Sequence, residues 1–333
     1  MKNKMILLIM AVIASILILV GFYCFYYYKK DRKTMGKIIR NNYKLIILFI
    51  MSAFIFSCLY HYYSNIYQPE KMLGNDIRLF RNTPVWKLAK AVDKEDIKKI
   101  NHLIKNKGVP IDFQEPRFGQ SLLIWATYVE REKSVEALLE LGADPNLQDH
   151  YDGDNAIIIA SGYSSYSDDW CRTHLLRLIL KYGGDPNSVN FIKRNEKEKG
   201  GGRYGGDTPL TIASGCCIEK VKLLVEAGAD INYVNEYGRG NPLEEALLAN
   251  KADIVKYLLI EKKADYHNAE WITDRGDTIT VSDHLRNWVF PLDSKDYKIK
   301  MEIVEYLKKH GQDYWLCPIP EHFQYPQEYL DKY

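Results

Sequence analysis

The chain has 333 residues, of which 47% are hydrophobic and 26% charged, with a formal net charge of +2. That balance excludes wholesale disorder, and the absence of a large single-sign charge argues against a nucleic-acid partner. Six cysteines, none in a C-x-x-C pair and none beside paired histidines, argue against a structural zinc site.

The first 67 residues read as a membrane hairpin. Residues 5–28, MILLIMAVIASILILVGFYCFYYY, carry no charge, and at helical rise they extend about 36 Å, enough to cross a bilayer. A cleaved signal peptide is disfavoured, because the apolar run is too long and no small-x-small site follows it. A second run, residues 45–63, is apolar up to His61, and Tyr26, Tyr27, Tyr28, Tyr60, Tyr62 and Tyr63 stand at segment ends, where aromatic rings meet headgroups. Between the runs, the 29–44 loop holds Lys29, Lys30, Arg32, Lys33, Lys37, Arg40 and Lys44 against Asp31 alone. The positive-inside rule places this loop in the cytoplasm and everything after residue 63 on the other side, the periplasm of a bacterium. Residues 68–81 read as a linker.

From residue 82 the pattern changes to short amphipathic helices in pairs. The stretch 206–232, GDTPLTIASGCCIEKVKLLVEAGADIN, is the clearest unit. Thr208 is an N-cap, and Pro209 at the first helical position gives up an amide that has no helical partner. Leu210 and Ala213 face inward, and Gly215 closes the first helix. Val221, Leu223, Leu224 and Ala227 form the stripe of the second, which Gly228 ends.

The order T-P-L-x-x-A, V-x-L-L, G-A-D-x-N resembles the ankyrin repeat. A period near 33 residues carries the resemblance along residues 82–314 and implies an all-α solenoid of about five to six helix-turn-helix units behind the membrane hairpin. The first unit is divergent and acts as a cap: Thr83, Pro84 and Val85 through Ala89 start it, and Ile97, Ile100, Leu103 and Ile104 form its second helix. The next runs from Gly119 through Ala126 to Gly142-Ala143-Asp144-Pro145-Asn146. A third runs from Asp152 through Ala160 to Gly183-Gly184-Asp185-Pro186-Asn187, its turn lengthened by an insertion at 162–173. A second insertion, 190–206, is charged and then glycine-rich. A fifth unit follows from Tyr237 through Ala246 to Ala264-Asp265. A degenerate last unit takes Thr278 to Leu285 as its first helix and Lys298 to His310 as its second, with a third insertion at about 269–297. Residues 315–333, with Pro318, Pro320 and Pro326, form a tail that packs on the last repeat.

No stretch carries a reaction. GGGRYGGD at 200–207 lacks the lysine and hydroxyl of a phosphate loop. His150, Asp152 and Asp154 suit the β-turn between units better than a metal. Asp144, Asp185, Asp230 and Asp265 mark repeat ends rather than paired catalytic acids. The expectation is therefore no enzyme, no cofactor, no metal, no nucleic acid and no small-molecule substrate. Cys171 in the lengthened turn and Cys216 and Cys217 in the next turn leave two states open: a bridge from Cys171 to Cys216 or Cys217, or three reduced, half-buried thiols.

The resemblance implies a concave face of turn tips and first helices that takes a protein partner. Trp125, Tyr128, Tyr151, Tyr163, Tyr166, Trp170, Tyr237 and Arg239 are its candidate contacts, since aromatic side chains give large contact area at low entropic cost. The expected function is a membrane-anchored protein-protein interaction module at the bacterial inner membrane, of immunity or regulatory type. The alternative is a structural or assembly factor whose membrane hairpin makes the functional contacts.

Overall fold

A computed structural model describes residues 72–162, 171–191, 206–235, 240–272, 276 and 278–318. All belong to one compact unit, Pro69–Tyr333. The apolar runs 5–28 and 45–63, the basic loop and the tail beyond residue 318 lie outside the described residues. Among the described residues no helix is long and apolar enough to cross a membrane.

Six helix pairs follow one another. They are α1 Trp86–Asp93 with α2 Ile97–Asn101, α3 Leu122–Tyr128 with α4 Glu132–Glu140, and α5 Ala156–Ser161 with α6 His174–Lys181. Then come α7 Pro209–Ser214 with α8 Ile218–Glu226, α9 Pro242–Leu248 with α10 Ala252–Lys256, and α11 Val281–Arg286 with α12 Lys295–Lys309. α2 and α10 each run on into a π-helical turn, His102–Asn106 and Tyr257–Glu261. The first helices pack side by side in one row and second helices in another. The core lies between the rows. Leu88, Leu122, Ile157, Leu210, Leu243 and Leu285 fill it from the first helices, and Ile100, Val135, Ile179, Val221, Val255 and Ile303 from the second. Each such side chain contributes about 1.5–3 kcal/mol of burial.

Local chemistry sets the helix starts. Ser121, Asn155, Thr208 and Asn241 accept from backbone N–H groups of α3, α5, α7 and α9, and Thr280 closes a full capping box on α11. The stops are equally local. Gly142, Gly183, Gly228 and Gly311 take φ near +90° just past their second helices, a conformation that costs glycine little. In the fifth unit Lys263 holds that place at φ +61°.

Several expectations need correction. Residues 72–81 are not a linker. Met72, Leu79 and Phe80 are buried, and the 3-10 turn Ile77–Phe80 packs on α1. Three apolar side chains there cover core that the first helix pair would otherwise leave open. The first unit also sits later than its Thr-Pro suggested. α1 begins at Trp86, and the alanine whose carbonyl receives the turn N–H is Ala91, bonded to Asp96. In α8, Leu223 is only half-buried and Ala227 is exposed, so the stripe is Val221 and Leu224. Among the described residues of the 269–297 insertion, Trp271 lies opposite Ile279 and Ile272 opposite Thr278 in a two-residue antiparallel pair, followed by α11, so the fold is not purely α. Trp288 is buried there and its indole N–H donates to the Leu247 carbonyl at 2.9 Å, tying the segment to the end of α9. Just before the tail, Tyr314 is buried against α11 and α12; at the start of the tail Trp315 and Leu316 are 41% and 84% exposed.

Candidate functional site

The repeat endings build a ladder that fixes the spacing of the units. Asn146 Oδ1 accepts from the Asp185 N–H at 2.8 Å while its amide donates to the Gly183 carbonyl at 2.9 Å. Asn187 does the same to Asp230 and Gly228, at 2.8 and 3.0 Å. Asn232 accepts from Asp265, and Asp112 stands in for asparagine in accepting from Asp144. Each aspartate in turn accepts from the N–H two residues on, as Asp144 does from Asn146. These carboxylates are structural. Asp112 is pushed above the usual carboxylate range, chiefly by burial.

Between units the chain forms short fingers anchored the same way. Glu115 accepts from the N–H groups of Arg117, Phe118 and Gln120, and Asp149 Oδ1 accepts from those of Tyr151, Asp152 and Gly153. Burial raises the Asp149 carboxyl, opposed by the same backbone bonds. Neighbouring fingers are stitched by His150 N–H to the Phe118 carbonyl and Phe191 N–H to the Asp152 carbonyl. The His150 ring packs over Gly119, where an added Cβ would meet it at 2.4 Å and φ is already +76°. The His150, Asp152, Asp154 cluster is thus a turn, with Asp154 Oδ1 accepting from the Asn190 amide.

The predicted contact residues do not form one group. Trp125 is 2% exposed and its indole donates to the Asn75 carbonyl, so it belongs to the core and cannot serve as a contact. Tyr128 and Tyr151 are exposed, 46% and 59%. Tyr163, Tyr166, Trp170, Tyr237 and Arg239 lie outside the described residues. Tyr151 meets Phe118 edge-on at 5.4 Å, and Phe191 on the next finger is also exposed. Phe118 precedes Tyr151 by one repeat period, a signal available in the sequence but overlooked.

Beside these tips a cleft of about 230 Å3 opens across the second, third and fourth units. Tyr128 and Thr127 at the end of α3, Ile158 and Ile159 of α5 and Ile212 of α7 form its walls. Glu130, Glu132, Asp149, Asp152 and Asp154 bring carboxylates to it, against the cations Arg172 and Lys220. Arg172 bridges Glu130, at 3.1 Å, and Glu132. Lys220 is 2% exposed and donates to the Gly162 carbonyl.

At the outer edge of the cleft's last two units, Cys171 is joined to Cys217, with Cα atoms 5.8 Å apart. Of the partners left open for Cys171, the structure gives it Cys217 and leaves Cys216 buried and outside the bridge. Glu219 brings a carboxylate oxygen to 3.1 Å from Cys171 Sγ. A disulfide sulfur has no proton to donate, so this is a close approach rather than a hydrogen bond. Two sulfurs and a carboxylate within 4.8 Å are donors of the kind that metals use, but here the sulfurs are spent on each other.

Stacked helix pairs, asparagine-linked endings and projecting fingers define the class: a helix-turn-helix repeat protein built to display one face. The comparisons make the repeat specific. Residues 171–269 match the model described as ankyrin repeats in three copies, and residues 118–150 that of a single ankyrin repeat. The chain is similar to an ankyrin repeat protein of Acanthamoeba polyphaga mimivirus, 32% identical over 128 residues, which cover 32% of this chain and 19% of that protein. It is also similar to the ankyrin repeat protein YahD of Escherichia coli, 28% identical over 187 residues, which cover 56% of this chain and 81% of that one. The chain therefore spans about a fifth of the mimivirus relative and most of the bacterial one. Ankyrin repeats occupy residues 118–150 and 171–269, and they point to a protein-protein interaction module.

Proposed function

We propose that this protein captures a partner protein on its first-helix side, with Tyr128, Tyr151 and the neighbouring cleft as the contact. The observation that carries this is the exposure of Tyr128 and Tyr151 beside the cleft, with Phe191 exposed on the next finger, while Trp125 and Trp288 are buried. Large exposed rings at the edge of a polar cleft are the features that dominate binding at interfaces. The reading extends to a membrane anchor formed by residues 5–28 and 45–63, with the repeats on the periplasmic side of a bacterial inner membrane and an immunity-type or regulatory role. The apolar runs, the basic 29–44 loop and a disulfide suited to an oxidising compartment support that placement.

Site-specific photo-crosslinking in cells tests the contact. A crosslinker replacing Tyr151 is expected to yield one discrete adduct, and one replacing the exposed Glu136 on α4 none. Equal adducts from both positions, or none from either, sink the reading. A compartment reporter fused after Tyr333 tests the sidedness separately, and cytoplasmic activity would refute it.

A further inference from the structure

Beside the Cys171–Cys217 bridge stands a third donor that the bridge does not use. Glu219 is exposed, and its carboxylate has one polar neighbour among the described residues, Cys171 Sγ at 3.1 Å. Its place in the first turn of α8 suits a carboxylate, since a helix start favours negative charge. That accounts for the residue type but not for the aim of its oxygen. A carboxylate oxygen and a disulfide sulfur are both electron-rich, and neither has a proton to share, so in the bridged state the contact returns nothing. It becomes favourable once reduction lets a proton or a metal cation stand between oxygen and sulfur. The donors converge from two units: Cys171 from the lengthened turn of the third, Cys217 and Glu219 from the start of α8 in the fourth. Cys217 is the N-cap of α8, so a sulfur made anionic there sits at the positive end of the helix.

We propose that the reduced protein binds one Zn2+ ion through Cys171 Sγ, Cys217 Sγ and a Glu219 carboxylate oxygen, so that a covalent bridge joins the third and fourth units under oxidising conditions and a metal joins them under reducing ones. The three ligand atoms lie within 4.8 Å of one another. At Zn–S distances of about 2.3 Å, tetrahedral geometry sets two thiolates about 3.8 Å apart. With Cα atoms 5.8 Å apart, the cysteines reach that spacing by side-chain rotation. Two thiolates and one carboxylate suit a borderline-soft ion rather than Mg2+ or Ca2+, and water completes the tetrahedron on the exposed side. The steps balance. A dithiol reductant gives two electrons and two protons to the bridge and leaves as its own disulfide. The Cys171 and Cys217 thiols then each release a proton to solvent as the metal binds. The site does not depend on the partner-capture reading above.

The test uses the full chain, kept oxidised or reduced by a dithiol that is then removed without air. Zn2+ is read by competition against a chromophoric chelator, and Co2+ by its own absorption. The reduced parent is expected to take up one equivalent of Zn2+ more than the oxidised parent, and with Co2+ to give the charge-transfer band of thiolate ligation. Cys171→Ser should lose that equivalent. Glu219→Gln, a change at an exposed position, should weaken it at least fivefold, and Cys216→Ser should leave it in place. Zn2+ should also return part of the thermal midpoint that reduction removes, in the parent and not in Cys171→Ser. No uptake by the reduced parent would assign the Glu219 contact to a thiol proton alone and overturn the metal site. Equal uptake by oxidised and reduced protein overturns it as well, as does uptake that survives Cys171→Ser, ignores Glu219→Gln or is lost in Cys216→Ser.

Discussion

Breaking the Cys171–Cys217 link should cost more than any single contact it replaces. The two cysteines are 46 residues apart in sequence, and the closed loop carries α6 and α7. Loop-closure entropy for a ring of that size gives about 4 kcal/mol of stabilisation, through restriction of the unfolded chain. Cys171→Ser is the right perturbation, because Cys217→Ser would leave Cys171 able to pair with Cys216 next door. Urea unfolding of parent and variant, each with and without reductant, reads the effect. The parent should lose midpoint on reduction, and the variant should sit at the reduced parent's midpoint under both conditions. Alkylation gives an independent reading: in native, unreduced protein neither Cys171 nor Cys217 should label, and Cys216 should label only on unfolding. Glu219 adds a kinetic consequence. Its carboxylate, 3.1 Å from Cys171 Sγ, repels an incoming thiolate by about 1 kcal/mol at water-like dielectric, so Glu219→Gln should speed reduction about fivefold. Identical midpoints with and without reductant, or full alkylation of Cys171 in native protein, would refute the link and the oxidising compartment inferred from it.

Lys300 is buried, donates to the Trp288 carbonyl at 2.9 Å, and is lowered to about 6 by burial and then by nearby Arg286. The unfolded lysine titrates near 10.4, so between the two values the unfolded state binds the extra proton and stability rises with pH. Lys300→Met removes a penalty of about 4 kcal/mol at pH 7 and loses one hydrogen bond worth about 1. It should therefore raise the melting temperature at pH 7 and flatten its climb from pH 6 to 9; parallel pH profiles would contradict the assignment. Lys263→Gly relieves a left-handed residue and should stabilise by about 1 kcal/mol, read as a higher urea midpoint at unchanged slope. Asn187→Ala removes two inter-unit hydrogen bonds and should destabilise by about 2 kcal/mol. Amide exchange in that variant should quicken most at Asp230, and protection there equal to the parent's would show that the ladder is incidental.

What the sequence exposes of this fold is what repeats. Thr208 as cap, Gly228 as stop, and the aspartate and asparagine of each ending are local signals, and they recur because the same backbone groups need satisfying in every unit. Even the irregular fourth unit is written there. Ala126 to Val135 and Ala246 to Val255 span nine residues, Ala213 to Val221 only eight. The turn N–H that reaches back five residues from Arg131 and Lys251 accordingly reaches back four from Cys217, without the left-handed residue that Glu130 and Asn250 supply. What does not repeat was not legible. Trp125 looks like a contact residue on a helix with a polar start, and only the preceding segment, bringing the Asn75 carbonyl to its indole, makes it core.

The cleft was hidden for a different reason, and that reason bears on how such sites are found. Asp149, Asp152 and Asp154 fit a turn so well that their turn role is a sufficient account of them, and Asp149 does hold three backbone N–H groups. Stacking nonetheless aligns the fingers of adjacent units, so the Asp149, Asp152 and Asp154 carboxylates that serve turns also line the cleft beside the first helices. Arg172 comes from the lengthened turn of the third unit to meet Glu130 and Glu132 from the unit before. Charge pairing thus follows the stack rather than the chain. In a repeat fold the residues that make each unit alike line up across units, and a binding surface can be assembled from turn chemistry.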